Sequence, residues 1–398
     1  MAAPPPAWLL VLLTAIGPFS MQILVPAIPA LGASFGAAPA AAQLALTLYL
    51  VGVAAGQLLY GPLSDRYGRR PMAIAGLALF LAASVLSTVA GSIGELVAGR
   101  FVQAVGACSG MVLARAIIRD CWPRDRAASV MAYVFMGMTV APMAAPVAGA
   151  LLDEGFGWRA LLAVPALAGA LLLALTLARL PETLRREAGA GPGGFGGVVA
   201  ASLGLLRTPA FVVYAGCFAA SSAVFFSFVG GAPFVVVDGL GLPPVAYALG
   251  FAVLSLAYAV GNFVTARFAV RLGALRLLRL GTAVTFAAGA AALVLVLARP
   301  PGMLNLFGPA VLMALGNGVA QANAMAAAVS VRPQAAGAAS GLSGALQMSA
   351  GAAATVVVAA LESGSGVATA GMMVACATLC QAILWVGRRP ASGAAGSA

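Results

Sequence analysis

The chain has 398 residues, 62% of them hydrophobic and 8% charged, and its mean hydropathy is +1.04. A water-soluble domain carries about 25% charged residues, so this composition excludes a fold whose whole exterior faces water. All 21 basic residues are Arg against 10 acids, with no Lys and no His, for a net charge of +11. With no basic tail interleaved with aromatics, that charge reads as the positive-inside bias of a membrane protein and not as a nucleic-acid footprint.

Apolar blocks long enough to cross a hydrocarbon core of about 30 Å, which takes roughly 20 helical residues, follow one another along the chain. The short alternating segments of a membrane β-barrel are absent. Backbone groups in lipid must bond within their own segment, which leaves helices. The expectation is an all-α integral membrane protein with 12 transmembrane helices, near 8–30, 41–61, 71–90, 95–117, 129–151, 159–179, 210–235, 243–266, 277–298, 304–328, 338–361 and 368–387. The first block has no positive n-region and is longer than a signal-peptide core, so it reads as a retained span. The polar stretch PETLRREAGAGPGGFGG (Pro181 to Gly197) divides the chain into two pseudo-symmetric six-helix bundles. Residues 1–180 form the first bundle, 181–209 a cytoplasmic linker, 210–387 the second bundle and 388–398 a cytoplasmic tail.

With the N-terminus in the cytoplasm, the connections there collect Arg66, Arg69 and Arg70, then Arg119, Arg124 and Arg126, then Arg179, Arg185, Arg186 and Arg207. Arg267, Arg271, Arg276, Arg279, Arg332, Arg388 and Arg389 fall on the same side. Arg159 and Arg299 fall on the other, and Arg100 and Arg115 lie within the fourth span. The opposite orientation violates the positive-inside rule almost completely.

In chain order, Gln22 is the amide of the first span. The second and third spans are joined by GPLSDRYGRRP, Gly61 to Pro71. Gly61 and Gly68 permit a tight turn, and Asp65 is an acid among Arg66, Arg69 and Arg70. Such a loop is either an anchored turn or a latch whose acid pairs with Arg in one conformational state and releases it in another. The eighth–ninth connection holds AVRLGAL, which sets Arg271 and Gly273 against Arg66 and Gly68 and Val270 against Asp65, as in a worn duplication. Glu95 stands three residues after Ser92, the spacing of a helix cap. Arg100 is a charge inside a span, which needs a functional partner or a path to the interface, and Gln103 follows one turn later on the same face. The fifth span carries Pro142, Pro146 and Gly149, which loosen the helix and admit close neighbours.

Polar, aromatic and Met side chains within the spans are candidates to line a cavity: Gln22, Arg100, Gln103, Tyr133, Met136, Phe225, Phe226, Asn317, Gln321 and Gln347. Met and aromatic groups suit a site that repacks around varied ligands. The alternatives are lipid-facing Phe, packed Met and interhelical amide hydrogen bonds. Five scattered Cys without His give neither a disulfide framework nor a metal site, no cofactor is called for, and a phosphate loop is impossible without Lys.

The 2–3 loop resembles the signature of the major facilitator superfamily. GRFVQAVGACSGMVLARAIIRD (Gly99 to Asp120), PMAAPVAG (Pro142 to Gly149), FGWRALL, LPETL, LGNGVAQANAMAAAV and PQAAGAASGLSGALQ narrow the likeness to drug:proton antiporters of the bicyclomycin-resistance (Bcr/CflA) type. The resemblance implies a secondary multidrug or small-molecule exporter of the bacterial inner membrane, not an enzyme, working by alternating access as a monomer with both termini cytoplasmic and protons as counter-ion. It implies a latch of Asp65 and Arg69 facing Arg115, Arg119 and the start of span 11 near Ala338. It assigns Arg100 and Gln103 to proton coupling and the fifth-span prolines to export. Gln22 stands where many such exporters carry a membrane-embedded Asp, and Ala104, Ala145 and Ala150 replace common Gly. An importer or facilitator of a sugar or organic acid on the same fold is the alternative.

Overall fold

In the computed structural model, which describes residues 4–122, 124–184, 195–299, 302–332 and 335–387, every long apolar block is helical. The helices are α1 (Ala7–Gln22), α2 (Ile28–Ser34), α3 (Pro39–Tyr67), α4 (Arg69–Thr88), α5 (Ile93–Cys121), α6 (Arg124–Phe156) and α7 (Trp158–Arg179). They continue as α8 (Phe195–Leu206), α9 (Pro209–Phe234), α10 (Pro244–Leu272), α11 (Ala274–Ala298), α12 (Met303–Ser330), α13 (Ala336–Leu361) and α14 (Val367–Val386). Among the described residues 11 helical stretches are long and apolar enough to cross a membrane. The 33-residue α6 occupies the position of the remaining predicted span.

Three departures from the sequence expectation have local causes. The first span is not one helix: Pro26 and Pro29 lack the N–H that continues an α-helical ladder, and a 3-10 turn at Val25–Ala27 separates α1 from α2. Five π-helical residues, Val235–Gly239, extend α9 just after Pro233. The linker is not loop throughout. Its apolar second part, FGGVVAASLGLL, forms α8, whose 12 residues are too short to span. Leu205 of α8 is fully buried with Phe211, Ala215, Ala328 and Ala339.

The two bundles repeat one packing scheme. In the first, α1 packs on α6, α3 on α5, and α4 on both α5 and α7. In the second, α9 packs on α13, α10 on α12, and α11 on both α12 and α14. The duplicated loops match in backbone as well. Gly68 (φ 104°, ψ 156°) follows a 29-residue α3 and Gly273 (φ 81°, ψ 143°) a 29-residue α10, a left-handed region that favours glycine. The bundles meet along α3 with α13 and α6 with α10.

The outside is apolar and the inside partly polar, the reverse of a soluble protein. Leu86, Val89, Leu167 and Leu304 are exposed, whereas Ser20, Ser84, Gln103, Asn317 and Thr355 are buried. Helix contact rests on small residues. A Cβ at Gly110 would lie 1.9 Å from the Leu13 carbonyl oxygen, and one at Gly149 2.1 Å from that of Ile23, so α5 and α6 touch the backbone of the first span directly. Overpacking such a contact costs about 1–3 kcal/mol. Gly110→Ala is therefore expected to lower the melting temperature of the purified protein in detergent. Gly61→Ala, where a Cβ meets nothing within 4 Å, leaves it unchanged or slightly raised. Equal melting temperatures for the two variants would contradict the packing account.

Candidate functional site

At the Arg-rich end, the reversal from α3 to α4 gathers charges from four chain segments. Arg69, 3% exposed, donates from Nη1 to Asp65 Oδ1 (2.6 Å) and to Ser64 Oγ (2.6 Å), and from Nε to Asp120 Oδ2 (3.0 Å) at the end of α5. Two carboxylates thus share one buried guanidinium, and removal of either leaves that charge less well compensated. Below it, Glu182 of LPETL accepts from the backbone N–H of Arg69 (3.0 Å), Arg70 (3.2 Å), Thr183 (2.9 Å) and Leu184 (2.8 Å). The carboxylate satisfies donors at the start of α4, where the helix dipole favours negative charge. A Cβ at Gly68 would lie 2.5 Å from Glu182 Oε2, so the absent side chain admits this contact. Gly61 is not in the turn: it lies within α3 with open space around it.

The partners differ in part from those the resemblance implies. Asp120, not Arg119, meets Arg69; the Arg119 side chain is 68% exposed and lies 4.0 Å from Asp120. Arg115 donates to the Met111 carbonyl (3.0 Å) and to Ser340 Oγ in α13 (2.9 Å), a bond from one bundle to the other close to Ala338. Arg66 lies over the Tyr67 ring at 5.2 Å.

Arg100 is fully buried. Its Nη1 donates to Gln103 Oε1 (2.5 Å) and Ser20 Oγ (3.2 Å), its Nη2 to the Ser20 carbonyl (3.0 Å), and its guanidinium lies 4.2 Å from the Tyr49 ring centroid. Gln103 in turn donates to Ser84 Oγ (2.7 Å), and Tyr49 donates to the Gly17 carbonyl (2.9 Å). Helices α1, α3, α4 and α5 together hold the charge in the interior, so it does not snorkel to the interface. Glu95 is a cap: its N–H donates to Ser92 Oγ (3.3 Å) and its carboxylate accepts from Gly91 N–H (2.9 Å).

Where the bundles meet at mid-depth, buried Leu50, Phe226 and Ala352 pack with Met21, Phe225 and Met348. The Phe225 and Phe226 rings are edge to face at 5.4 Å. The other cavity candidates scatter. Gln22 is buried with Oε1 unpartnered, and Gln347 is half-buried. Asn317 is bonded to Ser221 of α9, and Gln321 accepts from Tyr258 of α10 at 3.3 Å, so both amides serve interhelical bonds within the second bundle. Tyr133 is exposed, and the side chain of Met136 lies outside the described residues. Pro142 is half-buried and Pro146 buried, and α6 runs through both to Gly149.

Sequence reading missed the roles of Glu182, Ser20, Tyr49, Ser84 and Ser340. Only Glu182 carried a signal, as an acid directly after a span on the Arg-rich side.

The comparisons agree with this architecture. The family model of the Major Facilitator Superfamily matches residues 10–355. The chain is 33% identical over 297 residues to an uncharacterized MFS-type transporter, YdgK, of Bacillus subtilis, covering 74% of each. It is 29% identical over 359 residues to a bicyclomycin resistance protein homolog of Haemophilus influenzae, covering 88% of each. It is 32% identical to a chloramphenicol resistance protein of Pseudomonas aeruginosa, covering 79% of this chain and 72% of that one. Among solved structures, a bacterial homolog of the human lysosomal transporter Spinster superposes with TM-score 0.73 at 15% identity, over 96% of each chain. The xylose transporter XylE of Escherichia coli superposes with TM-score 0.73 at 15% identity, over 98% of each. At that identity the likeness concerns fold alone. The chain is thus a multi-pass membrane transporter, not an enzyme, and it belongs to the Major Facilitator Superfamily.

Proposed function

We propose that this transporter exports small amphipathic molecules across the bacterial inner membrane in exchange for protons, as a monomer with both termini in the cytoplasm. The observation that carries this reading is the seam at mid-depth. Met21, Phe225, Phe226 and Met348 come from both bundles, and thioethers and aromatic rings repack around ligands of varied shape. The relatives named as bicyclomycin and chloramphenicol resistance proteins support outward transport of such molecules. Rocking of one bundle against the other about α3–α13 and α6–α10 would open the seam to each side in turn.

Coupling in this reading falls on Arg100 and Gln103, whose network ties α5 to the first span beside the seam. No acid of the described residues lies at a span centre. The proton is then carried by the substrate itself, or by Asp65, Asp120 or Glu95. The second reading, an importer or facilitator, is favoured by the amide Gln22 in the first span and by Ala145 and Ala150 in the partial fifth-span motif.

Proteoliposomes with an imposed pH gradient test the function directly. Uptake of a dye against its gradient into vesicles with an acidic lumen supports proton-driven export, and net flux only down the substrate gradient supports the facilitator. Arg100→Ala is expected to abolish this flux while the protein still reaches the membrane; normal flux would make Arg100 a packing group only. For the latch, Asp65 is 47% exposed and Asp120 16%. An exposed pair contributes about 1 kcal/mol or less, so Asp65→Ala should slow transport by roughly fivefold or less with expression intact, and Asp120→Asn should slow it more. Wild-type turnover in both variants would remove the latch.

A further inference from the structure

Arg100 is a charge in the interior of the first bundle and Arg115 a half-buried one where that bundle meets the second, and no carboxylate whose side chain is described lies on either. The acids whose side chains are described lie at the two ends. At the Arg-rich end Asp65 and Asp120 serve Arg69, and Glu182 serves the start of α4. At the other end Glu95 caps α5, Glu362 accepts from Gly366 and Thr369 at the start of α14, Asp153 and Glu154 lie in the last turn of α6, and Asp238 follows α9. Among the described side chains no carboxylate cancels either charge.

Both cations sit beside the path between the bundles. Arg115 reaches Ser340 of α13, so its guanidinium is at the interface itself. Arg100 stacks on Tyr49, which belongs to a buried cluster that Met21 and Met348 of the seam pack against. A ligand in the seam thus lies across this cluster from Arg100. At about 8 Å, with an effective dielectric near 20, a unit charge on the ligand changes binding by on the order of tenfold or more. Low-dielectric walls leave this field poorly screened by salt.

From this arrangement we infer that Arg100 and Arg115 set the charge preference of the transport site, which takes anionic or neutral amphipathic molecules and discriminates against cations. This rests on the export reading and narrows it.

The test uses the full chain in nanodiscs of zwitterionic phosphatidylcholine, so that lipid charge does not bias the result. Two xanthene dyes serve as probes: fluorescein methyl ester, an anion in mildly alkaline buffer, and tetramethylrhodamine methyl ester, a cation. The anion is expected to bind about a hundredfold tighter, tenfold gained on the anion and tenfold lost on the cation. That ratio should fall in Arg100→Gln and again in Arg115→Gln, and Gln22→Asp, which keeps both arginines and adds a negative charge, should also lower it. Equal or tighter binding of the cation by the wild-type protein overturns the charge preference and leaves export standing. A ratio unchanged in all three variants overturns the assignment to these arginines. Binding of neither dye overturns the charge preference, and the pH-gradient flux assay decides the export reading separately.

Discussion

Hydrocarbon offers no hydrophobic drive to press one helix on another, so this fold depends on how closely backbones can approach. The chain meets that constraint with glycine, 49 residues of it. Gly110 and Gly149 bring α5 and α6 onto the carbonyls of the first span. In the second bundle Gly261 and Gly318 do the same between α10 and α12, and Gly281 and Gly316 between α11 and α12. Close approach also lets short hydroxyls act at a distance from their own helix. Ser20 can accept from Arg100, and Thr47 can meet Thr355 across the two bundles at 2.8 Å, only because the helices between them are nearly in contact.

Charge is handled in two contrasting ways within that frame. At the Arg-rich end positive groups are matched by Asp65, Asp120 and Glu182, and the result is a fixed junction of α3, α4, α5 and the segment after α7. Arg100 in the interior and Arg115 at the bundle interface are held by carbonyls, hydroxyls, an amide and a ring face. Neutral acceptors of this kind solvate a cation without cancelling it. The first arrangement fixes a conformation, and the second leaves a field for whatever enters the seam.

The helices were legible because span length is set by bilayer thickness and each span is apolar enough to register alone. The break after Gln22 had its signal in VPAIP, yet proline is common in membrane helices and does not by itself fix where a ladder ends. Helix α8 escaped because FGG reads as linker and 12 apolar residues fall short of a span. Site residues were legible where one chemical type was out of place, as with Arg100 and Asp65. Their partners were not, because Ser20, Tyr49, Ser84 and Ser340 are ordinary residues on other helices, brought in by tertiary packing. Asn317 and Gln321 illustrate the converse: polar groups that stand out along the sequence turn out to bond Ser221 and Tyr258 next door.

The paired glycines at the two duplicated reversals carry an asymmetry. Gly68 has a carboxylate seated against it that ties α4 to the chain leaving α7, whereas around Gly273 a Cβ would meet nothing within 4 Å. One reversal is fastened through its glycine to the segment after α7, and among the described residues nothing occupies the same place at its twin, so two turns of like backbone differ in what holds them.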